Sequence, residues 1–175
     1  IDVFRIFDSL NWIEGMEVAL DETLNQGKIA EACICYTGDI LDKSRTKYDL
    51  NYYVKMAKEL ERLGTHILGI KDMSGLLKPM AAKVLIEALK NEIEIPIHLH
   101  THDTSGNGVA TLMMAANAGC DIVDAAFNSM SGLTSQPALN SIAAALEGAQ
   151  RDTGLDIDGI QERSDYWAAV RPVYS

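Results

Sequence analysis

Basic residues are scarce in this chain. Lys and Arg together number 15 against 25 Asp and Glu, a formal net charge of -10 over 175 residues. A basic nucleic-acid footprint is therefore absent, and an anionic membrane surface is an unsuitable partner. Long apolar runs are missing too, which excludes a transmembrane helix. The opening Ile1-Asp2-Val3-Phe4 lacks the charged, apolar and small-residue segments of a signal peptide, and it lacks Met; it reads as a strand cut from something longer. Cysteines number 3, an odd count that argues against a disulfide framework and for a reducing compartment. What is present is 47% hydrophobic and 23% charged residues, the composition of a soluble globular protein with material for one core.

Short β-rich runs alternate with stretches of helical period, the pattern of an α/β protein with a parallel sheet. The expected strands are Val3–Phe7, Ala32–Tyr36, His66–Ile70, Ile97–Thr101 and Ile122–Ala126. Helices are expected at Glu14–Asn25, Leu50–Leu63, Pro79–Lys90, Gly108–Ala118 and Pro137–Ala149, with apolar residues recurring at three and four. Pro79 suits a first helical turn, and Gly64 and Gly119 sit where helices should stop. The strand-to-strand spacing of about 25 to 35 residues is that of a (β/α)₈ barrel, which needs about 250 residues when complete. A doubly wound sheet fits the length better, but its Gly-rich phosphate turn is absent: the first turn is Phe7-Asp8-Ser9-Leu10-Asn11. The expected fold is thus a segment of a (β/α)₈ TIM barrel covering about five βα units over residues 1–150, with a following helical region beginning in 151–175.

Polar and ionisable residues collect where each strand ends and its loop begins, the edge on which parallel α/β proteins build active sites. His98-Leu99-His100-Thr101-His102-Asp103 is the sharpest element. Side chains two apart on a strand share a face, so the three histidines point one way. His100 and His102, nearest the mouth, are the better metal-ligand pair, and Asp103 can orient a histidine from behind. His66, at a strand start, is read as structural.

Lys71, on the face of Ile67 and Gly69 at the end of the preceding strand, needs a partner or a job at a barrel rim. It can act as a base or nucleophile, form a salt bridge with Asp8 or Asp103, or be carbamylated and so become an anionic metal ligand. Spacing alone favours the salt bridge. In Ser129–Pro137, Ser135 or Gln136 can cap a helix whose first turn holds Pro137, leaving amides that suit a carboxylate. Cys33 and Cys35 are not spaced as a redox pair and are read as buried small residues, and Met113 and Met114 as packing residues.

The runs Val3–Asn11, Cys35–Asp39, Lys71–Met73, His98–Gly106 and Ser131–Pro137 resemble the carboxyltransferase domain of the pyruvate carboxylase family across essentially all 175 residues. The lysine and histidine motifs alone are shared with oxaloacetate decarboxylases and transcarboxylases. The resemblance implies a divalent metal, zinc or manganese, held by His100, His102, a carbamylated Lys71 and an aspartate. It also makes Asp8, Asp103, Thr134 and Gln136 candidates for the pocket or for residues behind the ligands. The family's aspartate, its pyruvate-gripping arginine and its proton-shuttling threonine have no counterparts here, so the chain is expected to start at the family's fourth strand.

By that resemblance, carboxybiotin on a carrier domain gives up its carboxyl group to a metal-polarised pyruvate enolate, yielding oxaloacetate. ATP and bicarbonate are used at a separate biotin carboxylase domain, in a homotetrameric parent of a bacterial cytoplasm or mitochondrial matrix. Rival readings are a decarboxylase or transcarboxylase subunit, an aldol-type lyase, for which Lys71 is an odd choice, and a segment that serves only folding or interaction.

Overall fold

Alternation of period two divides each strand into two faces, and in this protein the two faces have opposite chemistry. A computed structural model describes residues 1–174; Ser175, the last of the tail, lies outside the described residues. Strands β1 (Val3–Phe7), β2 (Ile29–Cys35), β3 (Ile67–Asp72), β4 (Ile97–Thr101) and β5 (Ile122–Val123) form one parallel sheet in sequence order. On one face lie Ala32, Ile34, Leu68, Ile70, Ile97 and Leu99, all fully buried. The other face carries Arg5, Glu31, Lys71, His98 and His100 in adjacent registers.

Helices α1 (Ile13–Asn25), α2 (Leu50–Arg62), α3 (Pro79–Lys90), α4 (Gly108–Asn117) and α5 (Leu139–Leu146) supply the cover for the apolar face. In α2 the buried positions Tyr53, Met56, Ala57 and Leu60 form one stripe, and Asp49 caps the first turn by accepting from Tyr52 N at 2.9 Å. Gly64, at φ 93°, stops this helix where a side chain would be strained. A βα order with the covering helices on one side and Arg5, Glu31, Lys71 and the histidines on the other is a wall of a (β/α)₈ barrel seen from helix ring to interior. Its edges are β1 and β5.

Several expectations need correction: β2 starts earlier, at Ile29 rather than Ala32, and ends at Cys35, and β3 runs Ile67–Asp72 rather than His66–Ile70. Strand β5 ends at Val123 rather than Ala126, because Ala126 leaves the ladder to form an isolated bridge with Ala138. That bridge keeps the chain extended through Ala138, so the last barrel helix begins at Leu139. Pro137 therefore lies outside its first turn, and neither Ser135 nor Gln136 caps it. Cys35 is only half-buried, at the strand end, while Cys33 is buried as expected. The tail forms α6 (Ile157–Val170) and a 3₁₀ turn at Arg171–Tyr174 that contains Pro172. Helix α6 docks through Ser164, whose hydroxyl accepts from Ser129 N at 3.1 Å and whose carbonyl accepts from Ser129 Oγ at 2.7 Å.

Tyr53, fully buried, stacks on Tyr36 and bonds Thr37 twice, its hydroxyl donating to the carbonyl at 2.7 Å and accepting from the amide at 2.9 Å. It therefore fixes the chain as it leaves β2. Tyr53→Phe strands both groups and should lower stability by about 1–3 kcal/mol in chemical denaturation. An unchanged midpoint would show that these bonds contribute nothing net.

Candidate metal centre

Strand β4 presents His98 and His100 on the polar face, and His102, extended at φ −96° and ψ 143°, continues that face one residue past the strand. Both outer imidazoles are held by one nitrogen. His100 Nδ1 lies 2.6 Å from Asp124 Oδ2, and His102 Nδ1 lies 2.6 Å from the Thr134 carbonyl. A carboxylate and a carbonyl only accept, so each Nδ1 carries the proton. In the neutral rings this leaves two Nε2 lone pairs, and these face each other at 3.2 Å. Lone pairs so placed are joined by a cation between them, a proton shared by the two rings or a metal ion. Two nitrogens bound at about 2.05 Å to one tetrahedral ion stand about 3.3 Å apart, so the pair fits a metal such as zinc.

Lys71 is paired in register with His100 on one side and Cys35 on the other. It is 8% exposed, with Nζ 4.8 Å from the ring centroid of Phe7. The salt bridge that spacing favoured is not formed. Asp8 instead accepts from Leu10 N and Trp12 N at 2.8 and 3.0 Å, closing its own loop. Asp103 accepts from Gly108 N at 2.8 Å and so braces the start of α4. No carboxylate lies within ion-pair distance of the Lys71 amine among the described residues. Nor, among them, does any group of three His, Cys, Asp or Glu side chains converge as a metal cage. The fit therefore rests on two imidazoles with a lysine beside them.

Of the remaining candidates, Thr134 reaches the site through its backbone rather than its hydroxyl. Gln136 holds the same loop closed by accepting from Gly132 N at 3.0 Å through its carbonyl. The carboxylate behind an imidazole of the pair is Asp124, not Asp103.

Below the imidazole pair lies a charged layer that sequence reasoning missed. Asp124 also meets Arg5 Nη1 at 3.0 Å and His98 Nε2 at 2.8 Å, while Glu31 Oε1 meets Arg5 Nε and His98 Nδ1, each at 3.0 Å. His98 thus lies between two carboxylates. Burial opposes its charge, but hydrogen bonds to Asp124 and Glu31 prevail and raise it to about 9. With both nitrogens protonated, its 3.0 Å approach to Arg5 Nη2 brings two donors together, held by the acids around them. Burial would likewise raise the Asp124 carboxyl, yet hydrogen bonds from His100 and His98 and the nearby cations hold it far below the usual carboxylate range. His98 is accordingly no free ligand. His66 is structural as expected, its Nδ1 accepting from Ala30 N at 3.1 Å.

Gly69 makes room for the layer: a Cβ there would stand 2.3 Å from Cys33 Sγ and 3.1 Å from Glu31 Oε1. The available signal was Arg5 and Glu31 at alternate positions of otherwise apolar strands. Asp72, also overlooked, is fully buried on the helix-facing side and accepts from Leu76 N, Leu77 N and Thr101 Oγ1, at 3.0, 2.9 and 2.9 Å. It ties the loop after Lys71 to the strand of the histidines. A cleft of about 410 Å³ opens at the ends of β1 and β2, between Phe7, Tyr36, Tyr48 and Met73.

The HMGL-like family model matches residues 31–166. The chain is 61% identical over 175 residues to "Pyruvate carboxylase" of Bacillus subtilis, covering 100% of the chain and 15% of that protein. It is 48% identical over 176 residues to "Pyruvate carboxylase, mitochondrial" of Homo sapiens, again spanning 15% of it. The carboxyl transferase domain from Rhizobium etli pyruvate carboxylase superposes with a TM-score of 0.96 at 57% identity, over 98% of this chain and 29% of that one. The same domain has been solved with pyruvate and biocytin. The chain thus spans about 15% of the length of the curated relatives it matches. No helix among the described residues is long and apolar enough to cross a membrane.

Burial pushes the Cys33 thiol up to about 12 and the Cys120 thiol up to about 11, so neither forms appreciable thiolate near neutrality. In the native protein at pH 8, iodoacetamide should leave both unmodified by mass spectrometry and label them only after denaturation. Prompt native labelling of Cys33 would contradict the packing of the polar face.

Proposed function

The chain belongs to the HMGL-like family and is homologous along its whole length to part of the carboxyltransferase domain of pyruvate carboxylases; from that premise we propose that it forms the metal-holding wall of a site that carboxylates pyruvate to oxaloacetate. The observation that carries this reading is the pair of Nε2 atoms facing each other at 3.2 Å beside Lys71, a lysine with no acid partner among the described residues. His100 and His102 hold the divalent ion. Lys71 completes their side as a carbamate: its neutral amine adds to carbon dioxide and releases a proton, exchanging a cation for an oxygen anion. Zinc or manganese so bound would supply Lewis-acid polarisation of the pyruvate keto group.

The protein's own residues do the positioning. Asp124 and the Thr134 carbonyl fix the imidazoles, Asp72 joins the Lys71 loop to β4, and Phe7 shields the lysine from water. Asp8, Asp103 and Gln136 shape the rim by holding its loops. Carboxybiotin and pyruvate meet at this rim, as pyruvate and biocytin accompany the Rhizobium domain; the N–C bond of carboxybiotin breaks, a methyl proton of pyruvate ends on that biotin nitrogen, and the enolate carbon so formed bonds to the released carboxyl group. The biotin carrier and biotin carboxylase domains, ATP, bicarbonate and a homotetrameric assembly belong to the same reading, as does a boundary near residue 150 between barrel wall and helical region. Bacterial and mitochondrial relatives fit a cytoplasmic or matrix setting. The decarboxylase and transcarboxylase alternative is disfavoured by identity to pyruvate carboxylases over 100% of the chain.

In the full-length protein, His100→Ala and His102→Ala should each abolish retained metal, read by elemental analysis after desalting, along with ATP-dependent oxaloacetate formation, while His98→Ala retains more metal than either. Equal metal in all three variants would overturn the ligand pair. Labelled bicarbonate should place a carbamate carbon on Lys71, seen by high-resolution density or carbon NMR; a bare ammonium at full metal occupancy would exclude that role.

A further inference from the structure

The carboxylate behind His100 does more than neutralise the layer of charge around it. Asp124 stands one residue beyond β5, where the β4–β5 register, Leu99 opposite Val123, sets it beside His100 on the polar face. Its two oxygens divide their work: Oδ1 goes to His98 Nε2 at 2.8 Å, and Oδ2 to His100 Nδ1 at 2.6 Å and Arg5 Nη1 at 3.0 Å. Those contacts leave the carboxylate little freedom to turn. Its backbone amide is fixed as well, donating to the Leu99 carbonyl at 3.1 Å.

An imidazole binds a metal through one nitrogen only when its proton sits on the other, and a carboxylate against Nδ1 enforces that tautomer while setting the ring plane. We propose that Asp124 is a positioning residue for the metal, holding His100 with its proton on Nδ1 and its Nε2 lone pair aimed at the point shared with His102. This rests on the metal-site reading above and assigns a role to a residue outside the ligand set. Glu31 provides the contrast within the same layer: it grips Arg5 and His98 and does not touch His100.

Asp124→Asn keeps the shape but removes the charge, and its amide can present an N–H to Nδ1, moving the ring proton to Nε2 where it blocks the metal. In the full-length protein, titrated with zinc against a chromophoric chelator, Asp124→Asn should weaken binding by about 10–100-fold. Glu31→Gln, which disturbs the layer equally, should stay within about threefold of the parent protein. Equal losses in the two variants would mean that the layer acts only through general stability, and parent-like affinity in Asp124→Asn would sink the proposal outright. Should Asp124→Asn fail to fold by circular dichroism, Asp124→Glu, which displaces the carboxylate by one methylene, should lose at least about fivefold; parent-like affinity there overturns it equally. His100→Ala separates the two readings. If it binds zinc like the parent, the metal site itself is wrong; if it loses zinc while Asp124→Asn does not, only the role of Asp124 falls.

Discussion

Four charged groups on the interior face of this barrel wall find their partners within the wall, and that pairing organises the protein. Arg5, Glu31, His98 and Asp124 come from four different strands or strand ends, and each contact among them crosses between strands. Removing one partner from such a layer leaves another charge uncompensated, which costs stability. Strand register is set on both faces at once: a slip by one residue would drive the acids into the core and Leu68 or Leu99 into the charged layer.

On that foundation the site is built in tiers. The charged layer holds Asp124, Asp124 holds His100, and the Thr134 carbonyl holds His102. Asp72 performs the analogous service from the opposite face for the loop after Lys71. His100 and His102 at the top of the wall thus inherit their geometry from the groups packed behind them. Gly69 belongs to the same construction, since any side chain there would displace Cys33 and Glu31.

Much of this was legible in the sequence because period is a strong signal. Val3–Phe7, Ile97–Thr101 and Pro79–Lys90 were read to the residue, and the spacing of His98, His100 and His102 gave their common face. What escaped were features decided by long-range pairing. Asp124 looked like one more acid in a strand, because only folding brings it against a histidine 24 residues earlier in the chain. Helix α5 was expected to begin at Pro137, because nothing local announces that Ala138 pairs with Ala126. The expected lysine salt bridge failed for a related reason: Asp8 and Asp103 are claimed by nearby backbone amides, which local spacing does not reveal.

The contact between His102 and the Thr134 carbonyl has a further consequence. Because the acceptor belongs to the main chain, its usefulness is independent of which side chain stands at that position, and it is governed by the path of the loop. That path runs through Gly132 at φ 85° and Leu133 at φ 52°, two successive left-handed residues. For this contact the side chain at 134 is immaterial, while the backbone shape before it is not. Conformational changes at 132 and 133 would reach the His102 imidazole without altering any atom that touches it.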